Sequence, residues 1–241
     1  MRILLINPNT TPAVTDLVAG HVRGLAGAGV TLVPVTGRFG ARYIASRAAS
    51  AIAAHAALDA LAEHGAGCEA VYLACFGDPG LGALQEVSPV PVVGMAEAAC
   101  RAASAGGRRF AIVTGGALWG PMLTEFVAAL GLGGQLTGVR TVAPTGGEIA
   151  ADPEAALGGL AAACRACAEA DGAEVVILGG AALAGLAARI QPAVPVPVLC
   201  SVEAGTRAVL AAAGAERAGS AAPVLASTGL SPALATLLAG H

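Results

Sequence analysis

Tyr72-Leu73-Ala74-Cys75 is a short apolar run ending in a thiol, and Ile177-Leu178-Gly179-Gly180 writes the same run again further along the chain. The echo continues on both sides. Upstream, Arg2-Ile3-Leu4-Leu5-Ile6-Asn7 is matched by Arg109-Phe110-Ala111-Ile112-Val113-Thr114. Downstream, Val90-Pro91-Val92-Val93-Gly94-Met95-Ala96-Glu97-Ala98 is matched by Val196-Pro197-Val198-Leu199-Cys200-Ser201-Val202-Glu203-Ala204. Between these runs lie alanine-rich stretches, the alternation expected of βαβ units and a mostly parallel sheet.

Strands are predicted over 2–7, 30–35, 70–75 and 90–94 in the first copy, and over 109–114, 138–142, 174–179 and 196–199 in the second. Helices are predicted over 11–24, 46–63, 95–105, 119–130, 153–170 and 185–191, since alanine has the best helix propensity. The expected fold is α/β, with two similar lobes related by internal duplication and a pseudo-twofold axis. Each lobe is a mostly parallel four-stranded sheet flanked by helices. The first takes residues 1–98 plus a returning tail, 207–241, and the second takes 99–206.

Composition narrows the function. The chain has 241 residues, 56% apolar, 12% charged and with a net charge of −3, so no basic field for nucleic acid exists. Mean hydropathy is +0.73, but the apolar-plus-glycine stretch from Val175 to Ala188 is bounded by Glu174 and Arg189. It falls short of the ~20 residues of a membrane span. Ile3-Leu4-Leu5-Ile6 is too short for a secretory h-region, so the chain is expected in the cytoplasm with its six cysteines reduced. Small molecules are the expected partners, without nucleic acid or membrane.

In open parallel sheets, ligands bind beyond the carboxyl ends of strands, so the residues just after each strand are the candidates. Cys75 turns through Phe76-Gly77-Asp78-Pro79-Gly80 before a helix resumes, and proximity to a helix N-terminus would lower its pKa toward the thiolate. Burial as a small hydrophobe is the ordinary fate of cysteine; the glycine-rich turn favours chemistry. Cys68, Cys100 and the Cys164/Cys167 pair read as packing residues, and Cys200 is held in reserve as a second thiol. Asn7-Pro8-Asn9-Thr10-Thr11 offers amides and hydroxyls at a helix start, suited to a carboxylate or equally to capping. Thr114-Gly115-Gly116 occupies the matching place in the second copy.

On this reading Asn9, Thr10 and Thr114, with Gly115 beside it, hold substrate oxygens. Phe76, Gly77 and Ala181 offer backbone N–H groups, and Phe39 and Tyr43 line a side-chain pocket. Lysine is absent, which excludes a Schiff-base lysine and a Walker loop, and the histidines, His241 included, lack metal-ligand spacing.

The segments Leu4-Leu5-Ile6-Asn7-Pro8-Asn9-Thr10-Thr11, Ala74-Cys75-Phe76-Gly77-Asp78-Pro79-Gly80-Leu81 and Pro91-Val92-Val93-Gly94 leading into Glu97-Ala98 resemble the aspartate/glutamate/hydantoin racemase superfamily, especially its hydantoin and allantoin racemase branch. The resemblance covers most of the chain. It implies a cofactor-independent isomerase, commonly assembled as a homo-oligomer, in which two cysteines face an α-carbon of a hydantoin, amino acid or related small carboxylate. One thiolate takes the proton from one face while the other thiol returns one to the opposite face. The family's second cysteine lies in Leu-Gly-Cys-Ala-Gly, whereas this chain has Leu178-Gly179-Gly180-Ala181-Ala182, so Gly180 stands at its place. Arylmalonate decarboxylases of the same superfamily work with one cysteine, that of the second half. A decarboxylase using Cys75 would give the opposite enantiomer. The third expectation is a catalytically retired protein that binds a small carboxylate or ureide.

Overall fold

The computed structural model describes residues 1–215 and 226–239. Among these, strands β1 (Arg2–Asn7), β2 (Thr31–Thr36), β3 (Ala70–Leu73) and β4 (Val92–Gly94) form one sheet in the order β2-β1-β3-β4. Strands β5 (Phe110–Gly115), β6 (Leu136–Val142), β7 (Val175–Leu178) and β8 (Val198–Cys200) form a second, ordered β6-β5-β7-β8. All the pairings are parallel. The duplicated sequence has therefore produced the same topology twice.

The helices are α1 (Pro12–Ala26), α2 (Arg47–His64), α3 (Leu81–Val87), α4 (Met95–Ser104), α5 (Trp119–Ala129), α6 (Gly146–Ala151), α7 (Pro153–Glu169), α8 (Leu186–Ile190), α9 (Ser201–Ala212) and α10 (Pro232–Leu238). Local chemistry sets their starts. The Ser46 hydroxyl accepts from the Ala49 N–H at the head of α2, and Asp152 accepts from Ala155 where Pro153 opens α7. Helix α6 lies where no helix is predicted from the sequence. Thr145 and Glu148 cap it reciprocally, a capping-box signal that the intervening glycine pair obscured.

Strand alternation decides what each face buries. Leu4 and Ile6 of β1, with Val71 and Leu73 of β3, pack against Ala57 and Leu61 of α2 and Leu84 of α3. The opposite residues, Ile3, Leu5, Ala70 and Tyr72, join a core that continues into Phe110, Ile112 and Val176 of the second sheet. Two helices make that continuity. Helix α4 leaves the first sheet and packs on β7, β8 and α9, while α9 leaves the second sheet and packs on α1, β3 and β4. The Tyr72 hydroxyl donates to the Val202 carbonyl at 3.3 Å, and its ring fills the space that a side chain at Gly205 would need. Helix α10 lies on α2. The rest of the expected returning tail, 216–225 and 240–241 with His241, lies outside the described residues. Among the described residues, no helix is long and apolar enough to cross a membrane.

Candidate active site

The carboxyl ends of β1, β3, β5 and β7 converge on one cavity of about 90 Å³, room for several water molecules and sized for a small ligand. The two thiol-position loops are built alike. Ala74 N–H donates to the Ile6 carbonyl at 2.8 Å, and Gly179 N–H to the Val113 carbonyl at 2.9 Å. Asp78 N–H closes a turn on the Cys75 carbonyl at 3.1 Å, as Leu183 N–H does on Gly180 at 3.0 Å. Gly80 before α3 and Gly185 before α8 are both left-handed. Cys75 and Gly180 are thus counterparts in backbone as well as in sequence.

Their surroundings differ. Cys75 is buried, and burial pushes its thiol well above the usual thiol range, with the Asp78 carboxylate adding to the effect. The helix-lowered thiol expected from the sequence is therefore not realised. Helix α3 begins only at Leu81, too far along for its N-terminus to offset desolvation. Asp78 lies between, at a left-handed φ of 45°, and its carboxylate accepts from Ala96 N–H at 2.9 Å and Glu97 N–H at 2.7 Å at the start of α4. Burial outweighs those bonds and pushes its carboxyl up to about 7.

Gly180 adopts φ 143°, which side-chain-bearing residues rarely reach, and its N–H donates to the Ser201 hydroxyl at 3.1 Å. A Cβ at this position would come within 2.8 Å of Leu183 Cδ1 and 3.9 Å of Thr114 Oγ1. Leu183 stands where Asp78 stands in the first loop, so the second face of the cavity is walled by an apolar side chain.

The polar lining comes from the other two strand ends. Asn7 is fully buried, and its amide donates to Asn9 Oδ1 and Thr15 Oγ1, each at 2.9 Å. Asn9 Oδ1 also takes the Thr11 N–H at 2.9 Å. That fixes the Asn9 amide with its Nδ2 donor unused by any described residue, as is the buried Thr114 hydroxyl across the cavity. Three aromatic side chains tie the two halves over it. Tyr43 donates to the Gly115 carbonyl at 3.0 Å, Phe76 lies on Gly179, and Trp119 lies on Gly77. Arg47 of α2 pairs with Glu125 of α5 alongside.

Of the residues singled out by sequence, Cys75, Gly180, Asn9, Tyr43, Phe76, Thr114 and Ala181 line the cavity. Thr10, Phe39, Gly77 and Gly115 do not. Thr10 N–H is turned to the Ala41 carbonyl, while Phe39 packs edge-on against His55 with ring centroids 4.9 Å apart. Gly77 is covered by Trp119, and Gly115 presents its carbonyl to Tyr43. Cys200 lines a separate groove beside Glu203 and Arg207, away from Cys75. The sequence reading missed Arg42, Trp119 and Leu183. Trp119, the single tryptophan and placed just after a strand-end glycine pair, carried a usable signal; the others carried none. Among the described residues, no group of His, Cys, Asp and Glu is placed to hold a metal.

The family model described as Asp/Glu/hydantoin racemase matches residues 3–209. The hydantoin racemase of Paenarthrobacter aurescens is 34% identical over 211 residues, covering 86% of this chain and 89% of that one. The crystal structure of allantoin racemase from Pseudomonas fluorescens superposes with a TM-score of 0.87 at 30% identity, covering 95% of this chain and 99% of that one. Arylmalonate decarboxylase shares the fold at a TM-score of 0.58 and 19% identity, over 91% of this chain and 97% of that one.

Proposed function

Since this chain belongs to the Asp/Glu/hydantoin racemase family, we propose that it is a cofactor-independent enzyme moving a proton at the α-carbon of a hydantoin, amino acid or related small carboxylate, with Cys75 as its one thiol acid/base. The observation that carries this reading is a buried thiol lining the cavity, which Gly180 and Leu183 line at the equivalent loop of the second half, where a second acid/base would stand.

Cys75 in its thiolate form takes the α-proton from the face it touches. The electron pair passes onto the adjacent carbonyl, whose oxygen is met by Asn9 Nδ2, the Thr114 hydroxyl and the N–H groups of Ala181 and Ala182. The resulting thiol returns a proton to the same face. Burial makes the thiolate rare but strongly basic, and the neutral thiol a ready donor to a carbanion. The second face meets Leu183, so inversion lacks a side-chain acid and proceeds slowly.

The apolar second wall favours one further reading, loss of carbon dioxide from a malonate-type acid. The leaving carboxylate would abandon its bonding pair to an enediolate, which takes the Cys75 proton on one face.

In heavy water, wild type is expected to wash deuterium into the α-carbon of a hydantoin faster than it racemises it, and Cys75→Ala to lose the exchange. Racemisation keeping pace with exchange, or exchange surviving in Cys75→Ala, overturns the one-thiol mechanism. Carbon dioxide release from a substituted malonate selects the decarboxylase. Binding with neither reaction selects a retired binding protein.

A further inference from the structure

The loop from β2 and the first residue of α2 together carry three arginines, and two of them are committed. Arg38 forks onto the buried Asp59 carboxylate with bonds of 2.8 and 2.9 Å, and Arg47 pairs with Glu125. Arg42, between them, has no hydrogen-bond or ion-pair partner for its guanidinium among the described residues. It is also the one charged side chain among the residues that line the cavity.

Its place at the rim is held by the backbone on both sides. The Thr11 hydroxyl donates to the Arg42 carbonyl at 2.8 Å, and Thr10 N–H donates to the Ala41 carbonyl at 3.1 Å. The next residue, Tyr43, is latched to Gly115 across the cavity. An exposed arginine is thereby held at a cavity that apolar Val14, Ile44 and Leu183 also line, together with the reacting thiol.

We infer that Arg42 is a specificity-determining residue that selects a substrate carrying an anionic group on the α-carbon substituent. This rests on the reading above, in which the reacting carbonyl lies on the floor between Asn9 and Thr114. With that end held below, the substituent runs up between Val14 and Ile44 and ends at the rim. A carboxylate there accepts two parallel N–H bonds from the planar fork, which a carboxamide of the same shape does not reproduce. The substrate class is a small α-carbon acid with a side-chain carboxylate.

The test uses two matched probes, the hydantoin of glutamate and the hydantoin of glutamine, which differ in charge and scarcely in size. Calorimetric binding to wild type is expected to favour the glutamate hydantoin by about fivefold, the upper range for a partly exposed ion pair. The preference should shrink as ionic strength rises. Arg42→Gln should erase it, and Arg42→Lys should keep only part of it. Equal binding of the two probes to wild type overturns the inference, as does a preference that survives in Arg42→Gln or failure of both probes to bind. Deuterium exchange on the same samples reports separately. A charge preference without exchange spares the inference and sinks the racemase reading, while exchange without a charge preference does the reverse.

Discussion

Replacing Gly180 with cysteine puts back the side chain that the internal repeat lacks, and the structure says what it costs. At φ 143° the backbone of Gly180 lies where an L-residue is strained, on the order of 1–3 kcal/mol. The new Cβ also lands 2.8 Å from Leu183 Cδ1, and overpacking of this kind costs roughly 1–3 kcal/mol. Together these predict a loss of about 2–6 kcal/mol, or roughly 4–24 °C in Tm for a chain of this size. Urea denaturation of Gly180→Cys, Leu183→Ala and the double variant separates the two terms. Leu183→Ala alone should cost about 2–4 kcal/mol, because the side chain is 1% exposed. In the Gly180→Cys background it should cost about 1–2 kcal/mol less, since the overlap has gone. The double variant should also racemise faster, relative to deuterium exchange, than wild type. Strictly additive losses would refute the claim that Leu183 occupies the place of a second side chain. Unchanged racemisation in a folded double variant would refute the reading of Gly180 as the missing second acid/base.

Cys75→Ala should lower α-carbon exchange by about 10²–10⁴-fold with little loss of fold, and the exchange rate measured by NMR checks it. Asp78 has its folded carboxyl raised to about 7, so its contribution to stability is full below pH 4 and is lost as pH rises through 7. Asp78→Asn should remove that fall, on the order of 4 kcal/mol, from denaturation curves taken between pH 4 and 8; an unchanged profile would mean that the carboxyl is not desolvated. Tyr43→Phe gives up the bond to the Gly115 carbonyl and should cost about 1 kcal/mol while speeding ligand release in stopped-flow measurements.

Much of the scaffold was legible because it is written in local patterns. Strands apolar on both faces, glycines closing the turns and the repeated order of elements mark the eight strands to within a few residues, and they mark which strand ends meet. Apart from Tyr43, the cavity was legible where it uses strand ends and the residues just after them, as at Asn9, Cys75, Thr114 and Gly180. Phe39 and Tyr43 sit four residues apart on one loop, yet only Tyr43 reaches the cavity. The loop's course is set by Thr10 and Thr11 holding Ala41 and Arg42, and those contacts span about thirty residues.

By itself, then, the sequence determined the duplicated α/β framework, the family, and the pairing of one thiol with one glycine, since each of these is a matter of residue order and spacing. Tertiary structure alone decided the state of the thiol, because its proton affinity follows from burial and from Asp78 reaching over to the head of α4. Tertiary structure also decided that Leu183 closes the second face, that Cys200 lies elsewhere, and that Arg42 is the charge left free at the rim. Each of those depends on which side chains from distant segments fill the same space, and that is fixed only when the two sheets pack together.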